Sequence, residues 1–183
     1  MNRILLISLL AAFAVTSVHA ASPPSEVAEV RWGSSPAAVR GTLSRRPGVT
    51  FVAQTPESIT FKGGTFAGHD VESWRFEFQA GKFCKAIIAF MRPPGKDAKG
   101  NWLVDYIWGD LQKLVAEKYG KGEKLSDSHH GELLWTFPDP ARRTSKTIDL
   151  YYGFGSRLDI TYTDNPPGPL TTPIPKAKAK KDI

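Results

Sequence analysis

Three histidines offer the most direct chemistry beyond residue 20. The stretch "DSHHGE" sets His129 and His130 beside Asp127 and Glu132, and "AGHD" sets His69 before Asp70. Imidazole nitrogens together with carboxylates suit zinc or copper. Adjacent loop histidines reach one ion only with help from the backbone, so a metal centre here requires His69 as a third ligand from a converging loop. The competing reading of the same residues is a solvated polar loop. A second chemistry is carboxylate-based. "TIDLYYGFGSRLDITYT" places Asp149 and Asp159 opposite the apolar set of two strands, and two facing carboxylates are what glycoside hydrolysis needs. On a solvent-facing sheet without a cleft such a pair serves solubility, with Asp149 facing Arg157 or Lys146 across the hairpin. A third possibility is recognition. Tyr151, on the polar face of its strand, and Trp102 with Tyr106, at the opening of a helix, suit stacking on a sugar or anchoring a protein partner. For Trp102 the alternative is packing between helix and sheet.

Other common chemistries have no motif to carry them. The sequence contains no P-loop, no G-x-S-x-G elbow, no H-E-x-x-H and no C-x-x-C pair. Gly153 to Gly155 forms a G-x-G fragment between two strands, which reads as a turn and not as a dinucleotide site. No cofactor is called for. The pair Arg142-Arg143 lacks interleaved aromatics and reads as a solvated loop, so no nucleic-acid partner is indicated. The only cysteine, Cys84, excludes an intrachain disulfide and reads as a small buried hydrophobe on a strand.

The elements that must position these residues follow from periodicity. Ser35-Pro36 reads as an N-cap followed by proline at the first helical position, and Val39 with Leu43 shares one face. A helix is predicted from Pro36 to Arg45, closed by Pro47-Gly48. Period-two apolar patterns predict strands in "VTFVA", "SITFKG", "ESWRFEFQ" and "FCKAIIAFM". The last is apolar on both faces and therefore central in its sheet. "RPPGKDAKGN" is a loop by composition. "WLVDYIWGDLQKLVAEKYG" is the strongest helix signal, with Ile107, Leu111, Leu114 and Val115 on one stripe and Gly120 at the C′ position. Gly109 costs about 1 kcal/mol inside that helix unless the helix restarts at Asp110 as a cap. Three more strands follow, "ELLWTF", "KTIDLYYGF" and "SRLDITYT".

The predicted fold is α+β: an antiparallel sheet of about seven strands with two helices on one face, in the order α-β4-α-β3. Trp-Gly recurs at the same distance from a valine, Trp32 to Val39 and Trp108 to Val115. That recurrence reads as two tandem α-then-β units, or as coincidence in a chain with five tryptophans and sixteen glycines.

Residues 1–20, "MNRILLISLLAAFAVTSVHA", have the basic, apolar and small-residue regions of a secretory signal peptide, which predicts a periplasmic or secreted protein. The domain is expected to span residues 21–164. Residues 165–183 read as a proline-rich linker and a disordered lysine-alanine tail, "KAKAKKDI". Much of the formal charge of +6 sits in that tail: residues 21–175 carry 19 basic and 17 acidic side chains. An ordinary soluble surface remains, with a tail suited to an anionic membrane face or cell wall.

The "WGxSxxxV" pattern on Trp32, Gly33, Ser35 and Val39, with "LxxxKYG" on Leu114, Lys118, Tyr119 and Gly120, resembles uncharacterised exported bacterial proteins. The element order is similar to that of β-lactamase-inhibitor-protein-like modules, whose members bind other proteins non-covalently. The lone cysteine departs from the disulfides of that family. Together these features predict an exported, non-catalytic binding or accessory protein of the bacterial envelope, its partner an envelope protein or cell-wall component. The alternative is a small periplasmic metal-binding protein or hydrolase built on His69, His129 and His130.

Overall fold

Ser35 starts the first helix as its residue type predicts. In the computed structural model, which describes residues 22–125, 131–153 and 157–165, its hydroxyl accepts the Ala38 N–H at 3.3 Å, with Pro36 in the first turn. This helix, α1 (Pro36–Leu43), ends two residues short of the predicted Arg45. The N–H groups of Arg45 and Arg46 turn to Thr42 and Leu43, three residues back, which tightens the chain out of the α-helix.

Before α1, β1 (Glu26–Val27) and β2 (Val30–Arg31) form a short ribbon. After it come β3 (Val49–Gln54), β4 (Ser58–Gly63), β5 (Thr65–Phe66), β6 (His69–Gln79) and β7 (Lys82–Phe90). Then follow α2 (Leu103–Tyr119), β8 (Glu123–Lys124), β9 (Glu132–Asp139), β10 (Thr144–Gly153) and β11 (Arg157–Asn165). The main sheet has nine strands in the order β3-β4-β6-β7-β11-β10-β9-β8, with β5 paired to β6. All its pairings are antiparallel. The two strands beyond the predicted seven, β5 and β8, have two residues each, too few to show a period. The turn between β6 and β7 is Ala80-Gly81, both at positive φ, the two-residue hairpin that matches strand twist. The predicted turn around Gly155 lies outside the described residues.

Alternation puts one side of every long strand inside. Two apolar rows cross six strands each: Phe61–Trp74–Ile88–Ile160–Leu150–Leu133 and Ile59–Phe76–Ala86–Tyr162–Ile148–Trp135. All twelve are buried. Val39 and Leu43 of α1 and Val104, Ile107, Leu111 and Val115 of α2 join the same cluster, so both helices cover this face. The indole N–H groups of Trp74 and Trp135 donate to Gly63 O and Gly120 O at 2.8 and 2.7 Å, so neither buried donor is left unsatisfied.

The two rows are one pattern used twice. Ile59, Phe76 and Ala86 correspond to Leu133, Leu150 and Ile160 at one constant separation along the chain, and Phe61, Trp74 and Ile88 correspond likewise to Trp135, Ile148 and Tyr162. Each half is a helix followed by a strand meander, and the halves meet through their last strands, β7 and β11, paired from Lys85↔Thr163 to Ala89↔Asp159. Val39 and Val115 are both fully buried, but the Trp-Gly pairs that precede them differ locally. Gly33 stands before α1 at φ +79°, and its N–H donates to Phe83 O while Trp32 stacks on Phe83 at 4.7 Å. Gly109 lies inside α2, which runs through it without the restart at Asp110.

Ile88 sits between Trp74 and Ile160 at the junction, whereas its neighbour Ile87 faces the opposite side of the sheet. Ile88→Ala is expected to cost about 2–5 kcal/mol in urea denaturation, and Ile87→Ala markedly less. Equal losses would contradict this assignment of faces.

Candidate functional site

The halves are unequal where α2 begins. The correspondence that carries Trp32 onto Trp108 brings the start of α1 opposite Gln112, yet α2 begins at Leu103, more than two turns earlier. The added turns and the loop before them, residues 91–102, build the surface that carries the candidate site. Met91, Trp102 and Tyr106 are 53, 51 and 49% exposed, three of the six large apolar side chains so exposed among the described residues. This corrects the alternative reading of Trp102 as helix-to-sheet packing.

Asp97 organises the loop. One carboxylate oxygen accepts the Lys99 and Asn101 N–H groups at 2.8 and 2.9 Å, and the other accepts the Tyr106 hydroxyl and, at 3.3 Å, the Asn101 amide. The Tyr106 hydroxyl and then the Asn101 N–H hold the Asp97 carboxyl down at about 2, and the same bond raises Tyr106. The loop closes on the helix through Leu103 N–H to Gly95 O at 3.2 Å, and Lys96 Nζ lies 4.6 Å above the Trp102 ring. Trp102, as N-cap, lacks a side-chain capping bond, so this backbone contact does part of that task.

Two clefts flank Arg92–Pro94. One, of about 390 Å³, is lined by Gly68, His69, Asp70, Met91 and Ile107; the other, of about 370 Å³, by Trp102, Val104 and Tyr152. The Tyr152 hydroxyl donates to Asp105 at 3.3 Å, its ring lies 5.9 Å from Trp108, and burial followed by Asp105 pushes its ionisation up. A third, larger cleft of about 660 Å³ at the far end of the sheet is lined by Pro23, Phe137, Arg142 and Lys146. Its cations already have partners, Lys146 with Asp164 at 2.9 Å and Arg142 with Asp139 at 3.7 Å.

The predicted site residues part company here. Trp102 and Tyr106 lie on the same loop-helix segment, Tyr106 held by Asp97 and Trp102 by Lys96. Tyr151 does not join them: it stands on the open face of β10, in register with Asp159 and Glu132, while its neighbour Tyr152 turns to the cleft. Tyr152 is partly buried against the core and also lines the cleft, and no local signal in the sequence marks the second role. Asp149 and Asp159 share the open face, as expected, but Asp159 is 3% exposed and so is no solvent-facing carboxylate. In register, Asp149 stands opposite Thr161 rather than Arg157 or Lys146. His69 Nε2 lies 3.6 Å from Asp110 and beside the Phe90 ring. His129 and His130 lie outside the described residues, among which no three His, Cys, Asp or Glu side chains gather as a metal set. Cys84 is partly buried, its Sγ 3.5 Å from Glu77 O, and burial and then Glu77 push the thiol up, away from nucleophilic use.

No protein-family model, curated protein or solved structure matches the chain. The geometry alone carries the reading: a preorganised loop presenting half-exposed apolar side chains beside small clefts is suited to binding. Among the described residues, no helix is long and apolar enough to cross a membrane.

Because Asp97 ionises below its unfolded value of 3.8, its contribution to loop order is full above that value and is lost as pH falls through about 2. Tyr106→Phe is expected to raise the Asp97 pKa toward the ordinary carboxylate range, followed by NMR titration of the carboxyl carbon. An unchanged midpoint would contradict the Tyr106 contact.

Proposed function

We propose that the chain is an exported, non-catalytic binding protein of the bacterial envelope, engaging an envelope protein through the surface at the start of α2. The observation that carries this reading is the exposure of Met91, Trp102 and Tyr106 on a single loop-helix segment fixed by Asp97. Half-exposed aromatics on a preorganised support lose little entropy on docking, and Trp and Tyr supply most of the energy of interface hot spots. The signal-peptide pattern of residues 1–20 supports the exported location. Arg92, which lines both clefts, gives the rim a cation for steering an acidic surface.

The test is site-specific photocrosslinking in cells of the source species, with a benzophenone side chain at position 102 or, for comparison, at Thr136 on the open sheet face. One dominant adduct from position 102 and none from 136 is the expected result. With the purified partner, Trp102→Ala is then expected to cost about 2 kcal/mol in affinity. Crosslinking from position 136 alone would move the binding surface to the sheet.

A further inference from the structure

The two edges of the sheet are equivalent in the doubled architecture but are protected unequally. β8, at one edge, has only two residues, Glu123 and Lys124, both charged and exposed. Short length, charge and bulges are ways natural sheets keep an edge from pairing with another chain; β8 has the first two, β3 only the third. β3, at the other edge, runs for six residues, "VTFVAQ", with no charge and no proline. Thr50, Val52, Ala53 and Gln54 are exposed, Val52 by 50%. A bulge between Phe51 and Ala53 leaves Val52 without a partner residue in β4. Charge reaches β3 only from its neighbours: the Arg40 guanidinium of α1 lies 4.0 Å over the Phe51 ring, and Lys62 of β4 stands opposite Thr50.

We propose that β3 is the pairing edge of a two-fold dimer of this chain, two copies of β3 lying antiparallel to extend the sheet. A second copy fits for two reasons. Antiparallel self-pairing about a two-fold is isologous, so each edge presents to the other the same run of donors and acceptors. An uncharged strand also brings no like charges opposite one another, the penalty that a lysine-bearing edge would carry. The molecule already uses such a junction internally, where the corresponding strands β7 and β11 pair antiparallel over five residue pairs. β3 lies across the sheet from β8 and is separate from the segment carrying Trp102, so the dimer leaves that surface accessible.

Sedimentation equilibrium of the processed chain, residues 21–183, from micromolar to millimolar concentration tests the proposal. The expected result is a monomer–dimer equilibrium that Glu123→Lys on β8 leaves unchanged. Val52→Lys and Gln54→Lys each raise the dissociation constant about tenfold or more. Both positions are exposed, and unchanged far-UV circular dichroism and melting temperature would show that the variants fold. A chain monomeric at every concentration overturns the proposal, as do open-ended association or charged variants that dimerise like the parent.

Discussion

The antiparallel pairing of β7 with β11 is the constraint on which the rest of this structure depends. It is the strand pairing that joins the two halves among the described residues, and both apolar rows run through it. Ile88 and Ile160 meet in one row, Ala86 and Tyr162 in the other. A one-residue slip there would turn every inward side chain of one half to the open face, so the register of the junction and the burial of both halves are a single condition. The Tyr162 ring is buried so fully that its ionisation is driven upward, which fits a position in the middle of a shared core. Neither helix is long enough or apolar enough on its own to stand apart from this sheet. Each is held by the burial of one stripe.

Seen from that junction, the candidate binding surface occupies the place where the two halves stop matching. The strands correspond pair by pair, and Val39 and Val115 anchor their helices in the same way. The extra turns of α2 have no counterpart in α1, and they need a connecting loop that folds back on them. Asp97 meets that need with hydrogen bonds to Lys99, Asn101 and Tyr106. The loop therefore presents Trp102 from a fixed support instead of a mobile one, at the cost of leaving a large aromatic half in water.

Much of the fold was legible in the sequence because it depends on local periodicity. The seven longer strands, the central place of β7, the Ser35 cap and most of the α2 stripe follow from spacing alone; Leu114, expected on that stripe, is 42% exposed because the helix buries Val104, Ile107, Leu111 and Val115 instead. The two-residue strands β1, β2, β5 and β8 were not legible, since two residues display no period; β5 and β8 pair onto longer neighbours and β1 onto β2. The end of α1 was overread by two residues, where a tightened last turn leaves no mark in composition. The recurrence of Trp-Gly pointed to the doubled architecture by an unreliable signal: the two copies differ in structure, one before its helix and one within it. The better signal was the buried strand positions, which repeat at constant separation but with different side chains, such as Ala86 and Ile160.

The candidate site was legible only in part, for a physical reason. Trp102 and Tyr106 stood out as aromatics among polar residues, but what holds Tyr106 and the loop beside Trp102 is Asp97, an unexceptional acid whose role comes from geometry. Tyr151 and Tyr152 show the same limit, since adjacent residues on a strand face opposite sides and the sequence marks which is apolar without marking which wall borders a cleft.

The most direct test of the doubled, centrally joined architecture is native-state hydrogen exchange resolved by residue. The β7 and β11 amides around Ala86, Ile88, Ile160 and Tyr162 are expected to be the last to exchange, with the same opening free energy in both strands and the same denaturant dependence. Exchange of β9 to β11 as a separate unit, at lower free energy than β4 to β7, would contradict the account and make the junction a contact between two independent folds.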